Sequence, residues 1–358
     1  MPPDIGSEFH WEPAVLGGDG LPSWLPERRA LFATACGALH ALLRLLRPRG
    51  RLFVPSYFCT GVAESLSHVV PIAWYRHLPD ALDLNALPAV PGDVVLAQNL
   101  FAREAGVPWR AWIEAHPAVP VIEDHSHDPF GEWPRHSTAA YAVASLRKTL
   151  PLPDGGLLWS PSGRRLPAPS GPPSPGSDLK LAAMLLKSAW LNGGRVPRDA
   201  FRALQQQGEQ ALLCSSAPPC ATTAAALPLM DTAGVRRRST EQAQALAALL
   251  PTETPDWHLL PPGPTPFRLQ LVCRTEPIRD ALQHHLAQHH IFAPVHWRQT
   301  AFWSHDEQTA TLASRMLTLP VDHRCTESDL HRLASVISSA GEAIGARGGA
   351  GALAPPTQ

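Results

Sequence analysis

The 358-residue sequence lacks a long hydrophobic run, a surplus of charge and a secretory leader. No apolar stretch approaches the roughly 20 residues that cross a bilayer, so we expect no membrane-spanning helix. The formal net charge is −1, and a balanced chain offers no basic footprint for nucleic acid. The opening segment, MPPDIGSEFHWEP, has neither the basic nor the apolar region of a signal peptide, so we expect a cytoplasmic protein.

The six cysteines are scattered along the chain and form no CxxC pair. Scattered cysteines without a secretory signal indicate reduced thiols rather than a disulfide framework. Cys214 and Cys220 are six residues apart, and the sequence shows no metal partner for them. The cysteines lie at positions 36, 59, 214, 220, 273 and 325.

Length and composition predict one large domain and one smaller domain. The chain is 44% hydrophobic, which is ample for a sizeable core. The start of the chain is rich in proline and glycine, so we expect an arm that packs on a partner subunit. The predicted divisions are an arm over residues 1–27, a large domain over 28–235, a small α+β domain over 236–343 and a disordered tail over 344–358.

Strand-like and helical segments alternate through the first half of the chain. Apolar segments at residues 72–75 and 94–98 have the length and composition of strands, and PWRAWIEAH has those of a helix. Alternation of this kind favours an α/β domain with a mostly parallel sheet.

Two consecutive predicted strands are followed or ended by carboxylate, hydroxyl and amine side chains. One ends in Glu123 and Asp124, and the next ends in Ser145 followed by Lys148. Because ligands of α/β proteins bind at the carboxyl ends of the strands, these side chains would face a common crevice. A pyridine ring with an aldehyde and a phosphate would use all of them. The lysine would form a Schiff base, a carboxylate would pair with the ring nitrogen, and the serine would bind the phosphate.

This arrangement resembles the fold type I pyridoxal-phosphate enzymes, and specifically the DegT/DnrJ/StrS aminotransferase family. The family shows an Asp at the end of the strand before the lysine, a Gln or His three residues later, and a Gly-Gly pair after the lysine. This chain has Asp124, His127, Lys148 and Gly155-Gly156. Many members place the serine five residues before the lysine, whereas here it is three before. The shorter spacing occurs in other fold type I aminotransferases.

The resemblance implies a mixed, mostly parallel seven-stranded sheet of the aspartate-aminotransferase type and pyridoxal 5'-phosphate as cofactor. Lys148 would be the catalytic residue, Asp124 would pair with the ring nitrogen, and His127 would reach the ring hydroxyl. The family transfers an amino group, usually from glutamate or glutamine, to a keto or aldehyde acceptor that is often a nucleotide-linked sugar. The resemblance also implies a homodimer with its active sites at the interface.

A predicted helix after Thr34 offers a phosphate site. Thr34 is a reasonable N-cap, and the small residues Ala35, Cys36 and Gly37 leave the first amides uncovered. Free amides at a helix N-terminus bind anions, and the family holds the cofactor phosphate at a comparable turn. The alternative is that these small residues only pack the helix against the sheet.

The turn that follows Pro55 resembles the place where the family stacks an aromatic residue on the cofactor ring. Aligned on Pro55-Ser56, the chain has Tyr57, Phe58 and Cys59 as candidates to cover the ring. The alternative is that Tyr57 and Phe58 belong to the core.

Several alternatives remain open at this stage. The segment DHSHD, residues 124–128, and a helix rich in histidine could serve a metal hydrolase. The same lysine and ring could support a lyase or a racemase, and the fold could be a binding module without turnover. The histidines of that helix are 284, 285, 289 and 290.

Lysines and arginines elsewhere in the sequence have other predicted roles. Lys180 and Lys187 lie on a predicted helix without a strand end, so we expect solvated surface charges. Arginines could bind a donor carboxylate or acceptor phosphates, with a surface or structural role as the alternative. The candidate arginines are Arg147, Arg298, Arg315 and Arg324.

Overall fold

The computed structural model of the chain describes residues 4–298, 300, 302 and 306–348, with side chains described up to residue 340. Its first half alternates strands and helices. In chain order these are β1 (Ile5–Gly6), β2 (Arg29–Phe32), α1 (Ala35–Leu46), β3 (Leu52–Pro55), α2 (Thr60–Ser67), β4 (Ile72–Tyr75), β5 (His77–Leu78), β6 (Ala81–Leu82), β7 (Val94–Gln98), α3 (Val107–Ala115), β8 (Val121–Asp124), α4 (Glu132–Arg135), β9 (Tyr141–Ser145) and β10 (Gly156–Trp159).

The second half is mostly helical. Short 3₁₀ helices also occur along the chain, and the one at Leu146–Lys148 directly follows β9. The remaining elements are α5 (Pro175–Leu191), α6 (Arg198–Leu212), α7 (Ala221–Ala226), α8 (Thr232–Leu249), β11 (Trp257–Leu259), β12 (Leu269–Cys273), α9 (Glu276–Gln288), β13 (Ile291–Phe292), α10 (Glu307–Arg315), β14 (Met316–Leu319) and α11 (Glu327–Gly348).

Seven strands form the large sheet in the order β2-β10-β9-β8-β7-β3-β4. Strand β10 runs antiparallel to both of its neighbours, and the other neighbouring pairs are parallel. All four residues of β3 and all five of β7 are buried, as expected for strands covered on both faces. The predicted mixed, mostly parallel seven-stranded α/β sheet is therefore confirmed.

Helix α1 covers one face of this sheet. The Thr34 hydroxyl caps it by accepting from the Gly37 amide at 2.9 Å, and Arg47 ends it in the left-handed conformation. Leu39, Leu42 and Leu43 are fully buried against the strands. Each buried leucine contributes about 1.5–3 kcal/mol, so packing on the sheet holds the helix in place.

The C-terminal part has its own antiparallel sheet, β11-β12-β14, covered by α9 and α11. Thr275 caps α9, and Thr326 caps α11 together with Asp329. Helix α8 packs in both parts of the protein. Val235 lies in a hydrophobic core with residues of the large sheet, and Leu246 lies in the core of the C-terminal part. The domain boundary that we placed after residue 235 therefore falls inside a continuous helix.

The predicted N-terminal arm packs on its own chain over its described residues. Ile5 pairs with Ile291 in a short parallel ladder, and Val15 and Leu25 are buried in the large core. Our expectation that the arm covers a partner subunit is not needed to explain its burial. At the other end of the chain, α11 extends to Gly348 and includes the first residues of the predicted tail. Residues 349–358 lie outside the described residues.

In the part of the chain that the structure describes, the helices lack the combination of length and apolar character that a membrane crossing requires.

Candidate active site

Strands β8 and β9 place Asp124 and Ser145 on one face of the sheet. Ile122 and Val143 pack in the core beneath α1, and side chains two residues apart on a strand share a face. The strands are locked in register, since the Ser145 amide donates to Ser126 Oγ at 2.9 Å. Asp124 and Ser145 therefore lie at the carboxyl edge of the sheet, on the side where α1 begins.

Gln98 adds an unsatisfied group to this edge. It ends β7, pairs in register with Asp124, and shares a face with Leu96, which packs beneath α1. Gln98 is buried, and among the described residues its Oε1 has no hydrogen-bond donor. A buried acceptor of this kind costs about 1–3 kcal/mol unless a bound group satisfies it. The polar side chains at this edge, Asp124, Ser145 and Gln98, fit a charged, polar ring such as that of pyridoxal phosphate.

Lys148 is one of only three lysines in the chain. It ends the 3₁₀ helix that follows β9, as the sequence predicts for a residue beyond a strand end. Among the described residues its Nζ makes no hydrogen bond or salt bridge, and it lies 6.0 Å from the centre of the Trp297 ring. Lys148 lines a cavity of about 910 Å³ together with Phe267, Arg268 and His296. Asp124 and Ser145 are not among the residues that line this cavity.

His127 lies between the aromatic rings of Phe101 and Phe267, at centroid distances of 5.2 and 4.5 Å. Burial, and then the charge of Lys148, hold the pKa of His127 well below its usual value, so the ring is neutral. The Phe101 amide donates to His127 Nδ1 at 2.9 Å, which leaves the ring proton on Nε2. Phe101 reaches this position in the left-handed conformation, with φ of 53°. Such conformations cost about 1–3 kcal/mol and cluster at functional sites.

The glycine pair after the lysine lies where the start of β10 packs closely against the start of α1. Gly155 has φ of 125°, which side-chain-bearing residues rarely adopt. A Cβ on Gly156 would lie 2.2 Å from the carbonyl carbon of Thr34 and 2.4 Å from the Ala35 nitrogen. The pair therefore lets α1 begin directly against the sheet, next to the face that carries Asp124.

The predicted phosphate site at the start of α1 is partly covered. Cys36 forms a disulfide with Cys214, and Thr34 Oγ1 donates to the Ser215 carbonyl at 3.2 Å. A Cβ on Gly37 would lie 1.9 Å from the same carbonyl oxygen. Because the Gly37 amide already bonds Thr34, the amides of Ala35 and Cys36 are the ones left for an anion. Our expectation that all six cysteines are reduced thiols is wrong for this pair.

The three candidates to cover the ring lie in different environments. Tyr57 is fully buried, and its hydroxyl donates to the His296 carbonyl. Phe58 is buried in the core beneath α1, in agreement with the core alternative. Cys59 is half-buried at the N-cap of α2.

The arginines predicted to bind substrate are mostly occupied. Arg147 makes two hydrogen bonds to Glu209, at 2.7 and 2.6 Å, and Arg324 pairs with Asp322. Arg315 donates to the Cys273 carbonyl at 2.9 Å. Exposed Arg298 is the one predicted candidate that lines the cavity without a partner among the described residues.

Sequence reasoning missed Arg268, which lines the same cavity. Its guanidinium stacks on Phe267 at 5.1 Å and has no salt bridge within the described ranges. Its backbone is left-handed, with φ of 60°. Arg268 lies just before β12, in a region without a strand-end motif, so no pattern in the sequence indicates its role beyond the arginine itself.

Lys180 and Lys187 are not the surface charges that we expected. Lys180 is 4% exposed and pairs with Glu8 and Glu209. Lys187 is 3% exposed and donates to Ser7 Oγ at 2.7 Å and to the Glu8 carbonyl. Burial lowers the pKa of Lys187 to about 7. Both lysines bind the N-terminal arm, which the helical pattern alone does not indicate.

The DHSHD segment does not converge on one point. His125 pairs with buried Glu123 on the opposite face of the sheet, at 2.9 Å, while Asp128 pairs with Arg236. The C-terminal histidines are also dispersed, since His284 bonds Gln288 and His285 bonds Ser339. This geometry opposes the metal-hydrolase alternative.

No protein-family model and no curated protein matches the sequence. Solved structures do match the fold. Spr1654 from Streptococcus pneumoniae, described as a sugar aminotransferase, is 13% identical in its PLP form. The match covers 95% of this chain and 99% of Spr1654, with a TM-score of 0.64.

Two further structures give the same result. A DegT DnrJ EryC1 StrS aminotransferase from Brucella abortus is 16% identical, with coverage of 87% of this chain and 86% of that one and a TM-score of 0.53. DesI, crystallised with its TDP-sugar product, is 18% identical, with coverage of 89% and 82% and a TM-score of 0.57. The chain therefore has the fold type I architecture of these aminotransferases, as the sequence resemblance predicted.

Proposed function

We propose that the protein is a pyridoxal-phosphate-dependent aminotransferase that moves an amino group from an amino acid to a carbonyl acceptor of the keto-sugar class. One observation carries the proposal. Asp124 ends β8, and Lys148, the lysine without a bonded partner in the described residues, follows the neighbouring parallel strand β9 at the same edge of the sheet. The charge of Lys148 contributes to the lowered pKa of His127, so the two side chains lie near each other. The fold shared with known sugar aminotransferases supports the same reaction class.

The chain's own residues divide the chemistry among them. When bound, pyridoxal phosphate supplies an aldehyde that condenses with amines and a protonated ring that accepts an electron pair. Lys148 would be the amine that holds the aldehyde, and its free amine could take the proton from the donor Cα. Asp124 would pair with the ring nitrogen and favour its protonated form. His127 can donate its Nε2 proton to the ring hydroxyl oxygen.

The cavity supports a large and anionic substrate. Its volume of about 910 Å³ is near the upper end of ligand pockets, which span roughly 300–1,000 Å³. Arg268 and Arg298 line it without partners in the described residues, whereas the charge of Arg147 is offset by Glu209. We assign Arg268 to the carboxylate of the amino donor and Arg298 to acceptor phosphates, because a guanidinium binds both groups through paired hydrogen bonds.

The cofactor assignment is tested with purified protein loaded with pyridoxal phosphate. We expect a yellow chromophore that borohydride bleaches, and loss of that chromophore in Lys148→Ala. Glutamate and glutamine are then added singly while the spectrum is recorded. A spectrum that no amino donor converts would rule out transamination in favour of another pyridoxal-phosphate reaction. A colourless protein would reject the cofactor itself.

The proposal includes a homodimer, as the family resemblance implies, and a location in the cytoplasm, as the opening segment predicts. Light scattering coupled to size-exclusion chromatography should give twice the 38.7 kDa chain mass. A monomer that retains full activity would contradict the expectation that the active site needs both subunits.

A further inference from the structure

A cluster of metal-binding side chains lies beside the start of α1, apart from Lys148 and its cavity. Cys36 and His40 are four residues apart on α1, so their side chains share one face of the helix. Cys214, from the loop after α6, reaches the same face, with its Cα 4.8 Å from that of Cys36. The two sulfurs and a ring nitrogen of His40 all lie within 4.8 Å of one another.

We propose that Cys36, Cys214 and His40 bind a zinc ion when the two cysteines are reduced. Zinc takes thiolate and imidazole ligands at about 2.3 and 2.0 Å in a tetrahedron, so its ligand atoms lie roughly 3.5 Å apart. The three side chains can meet this requirement through small rotations, because their ligand atoms already occupy one small volume. Cys36 and His40 are both buried, which limits competition from water.

Ser65 completes the surroundings of the proposed site. Its Oγ lies 2.7 Å from His40 Nε2 and donates to Cys214 Sγ at 2.9 Å. The hydroxyl therefore stands between a nitrogen ligand and a sulfur ligand, where either it or a water molecule can take the fourth position.

The disulfide and the metal exclude each other. A dithiol such as dithiothreitol reduces the disulfide by giving two electrons and two protons, breaks the S–S bond, and becomes a cyclic disulfide. The zinc ion then displaces both thiol protons and forms two Zn–S bonds and one Zn–N bond, with no change of oxidation state. Only the thiolates are effective ligands, so the oxidised protein should not bind zinc here.

Either linkage would fix the same segment against the start of α1. Thr34 bonds the Ser215 carbonyl, and Ser216 accepts from the Ser170 amide at 3.0 Å. Zinc would therefore replace the disulfide as the attachment of the 214–216 segment under reducing conditions. Because zinc binds the folded chain and not the separated ligands of the unfolded one, it should raise the melting temperature of the reduced protein.

The test uses the tag-free, full-length protein, reduced with dithiothreitol, stripped with a chelator and passed through gel filtration. Zinc chloride is then added, excess metal is removed, and bound zinc is measured by mass spectrometry. We expect one zinc per reduced chain, loss of that zinc in Cys214→Ser, and at least about tenfold weaker binding in His40→Gln. Cobalt should give a thiolate charge-transfer band in the wild type and none in Cys214→Ser.

Cys325→Ser is the matched control, because it removes a buried thiol outside the cluster and should retain the zinc. The oxidised wild type should expose four free thiols when denatured and bind no zinc at this site. If His40→Gln does not fold, Cys214→Ser decides, since Cys214 is half-buried in a loop. Reduced wild-type protein without zinc, or equal zinc in Cys214→Ser, would overturn the proposal.

Discussion

The three lysines of the chain lie in two regions, beyond β9 and on α5, and differ in whether their amines have bonded partners, although Lys180 lines the same cavity as Lys148. Lys148 lies beyond β9 and faces a large cavity, with no hydrogen bond or salt bridge in the described parts of the chain. Lys180 and Lys187 lie on α5, are nearly inaccessible to solvent, and bind the N-terminal arm. The first environment leaves an amine available for covalent chemistry, and the second uses the amine to hold the fold together.

The comparison shows that a lowered pKa does not by itself mark a reactive lysine. Burial lowers the pKa of Lys187 to about 7, a value well suited to a nucleophilic amine. Its Nζ is nevertheless occupied by Ser7 and Glu8, and the small cavity next to it measures only about 150 Å³. Access to a cavity and a neighbouring strand-end carboxylate separate Lys148 from Lys187 more clearly than the pKa does.

The largest effect should come from removing Lys148, with removal of Lys187 as the comparison. Lys148→Ala should lower the turnover number by about 10³-fold or more, because it removes both the covalent attachment and the proton acceptor. Lys187→Met should keep the chromophore. After borohydride reduction and digestion, the cofactor mass should appear on the peptide containing Lys148. A label on Lys187 would reverse the assignment of the two regions.

A somewhat smaller effect should follow from Asp124→Asn. The amide cannot hold the ring nitrogen in its protonated form, so we expect bound cofactor but a turnover number reduced by about 10²–10³-fold. Glu123→Gln is the control, because Glu123 faces the other side of the sheet and bonds His125 and Trp133. It should lower the melting temperature with little effect on the cofactor spectrum. Equal spectral changes in both variants would contradict the facial assignment.

Arg268→Gln should raise the KM for the amino donor by about 10–100-fold, the value of one charge-assisted contact. The reason is that Arg268 is a cation open to the Lys148 cavity with no partner in the described residues. Arg298→Gln should instead raise the KM for the acceptor. Steady-state kinetics with each substrate varied in turn would show this split. Unchanged donor KM in Arg268→Gln would remove the arginine from substrate binding.

The large sheet and the residues beyond its strands were predictable because their signals are local. Asp124 ends one short strand and Lys148 follows the next, and Gly155-Gly156 marks the close approach of β10 to α1. These features depend on residues near one another in the sequence. The number of strands and the mixed, mostly parallel character of the sheet came from the family resemblance, and the structure agrees with both.

The remaining features depend on contacts between distant parts of the chain. Lys180 pairs with a glutamate 172 positions away, and Cys36 with a cysteine 178 positions away, so no local pattern indicates either contact. Arg268 belongs to the cavity only because the small domain packs over Lys148. The sequence did place these residues on helices or beside strands, but it could not identify their partners.

The smallest effect concerns the pH dependence of stability at the arm. The pKa of Lys187 is about 7 in the folded chain, against an ordinary value of 10.5 in the unfolded chain. Between these values the unfolded chain binds more protons, so the free energy of unfolding should rise with pH, by at most about 1.4 kcal/mol per pH unit.

Lys187→Met should remove this contribution, whereas Lys180→Met should keep it because Lys187 still titrates. Urea unfolding from about pH 7 to about pH 10 measures the difference between each variant and the wild type. If the wild type and Lys187→Met show the same slope, Lys187 is already charged in the fold, and its contacts with the arm act as those of an ordinary buried ammonium.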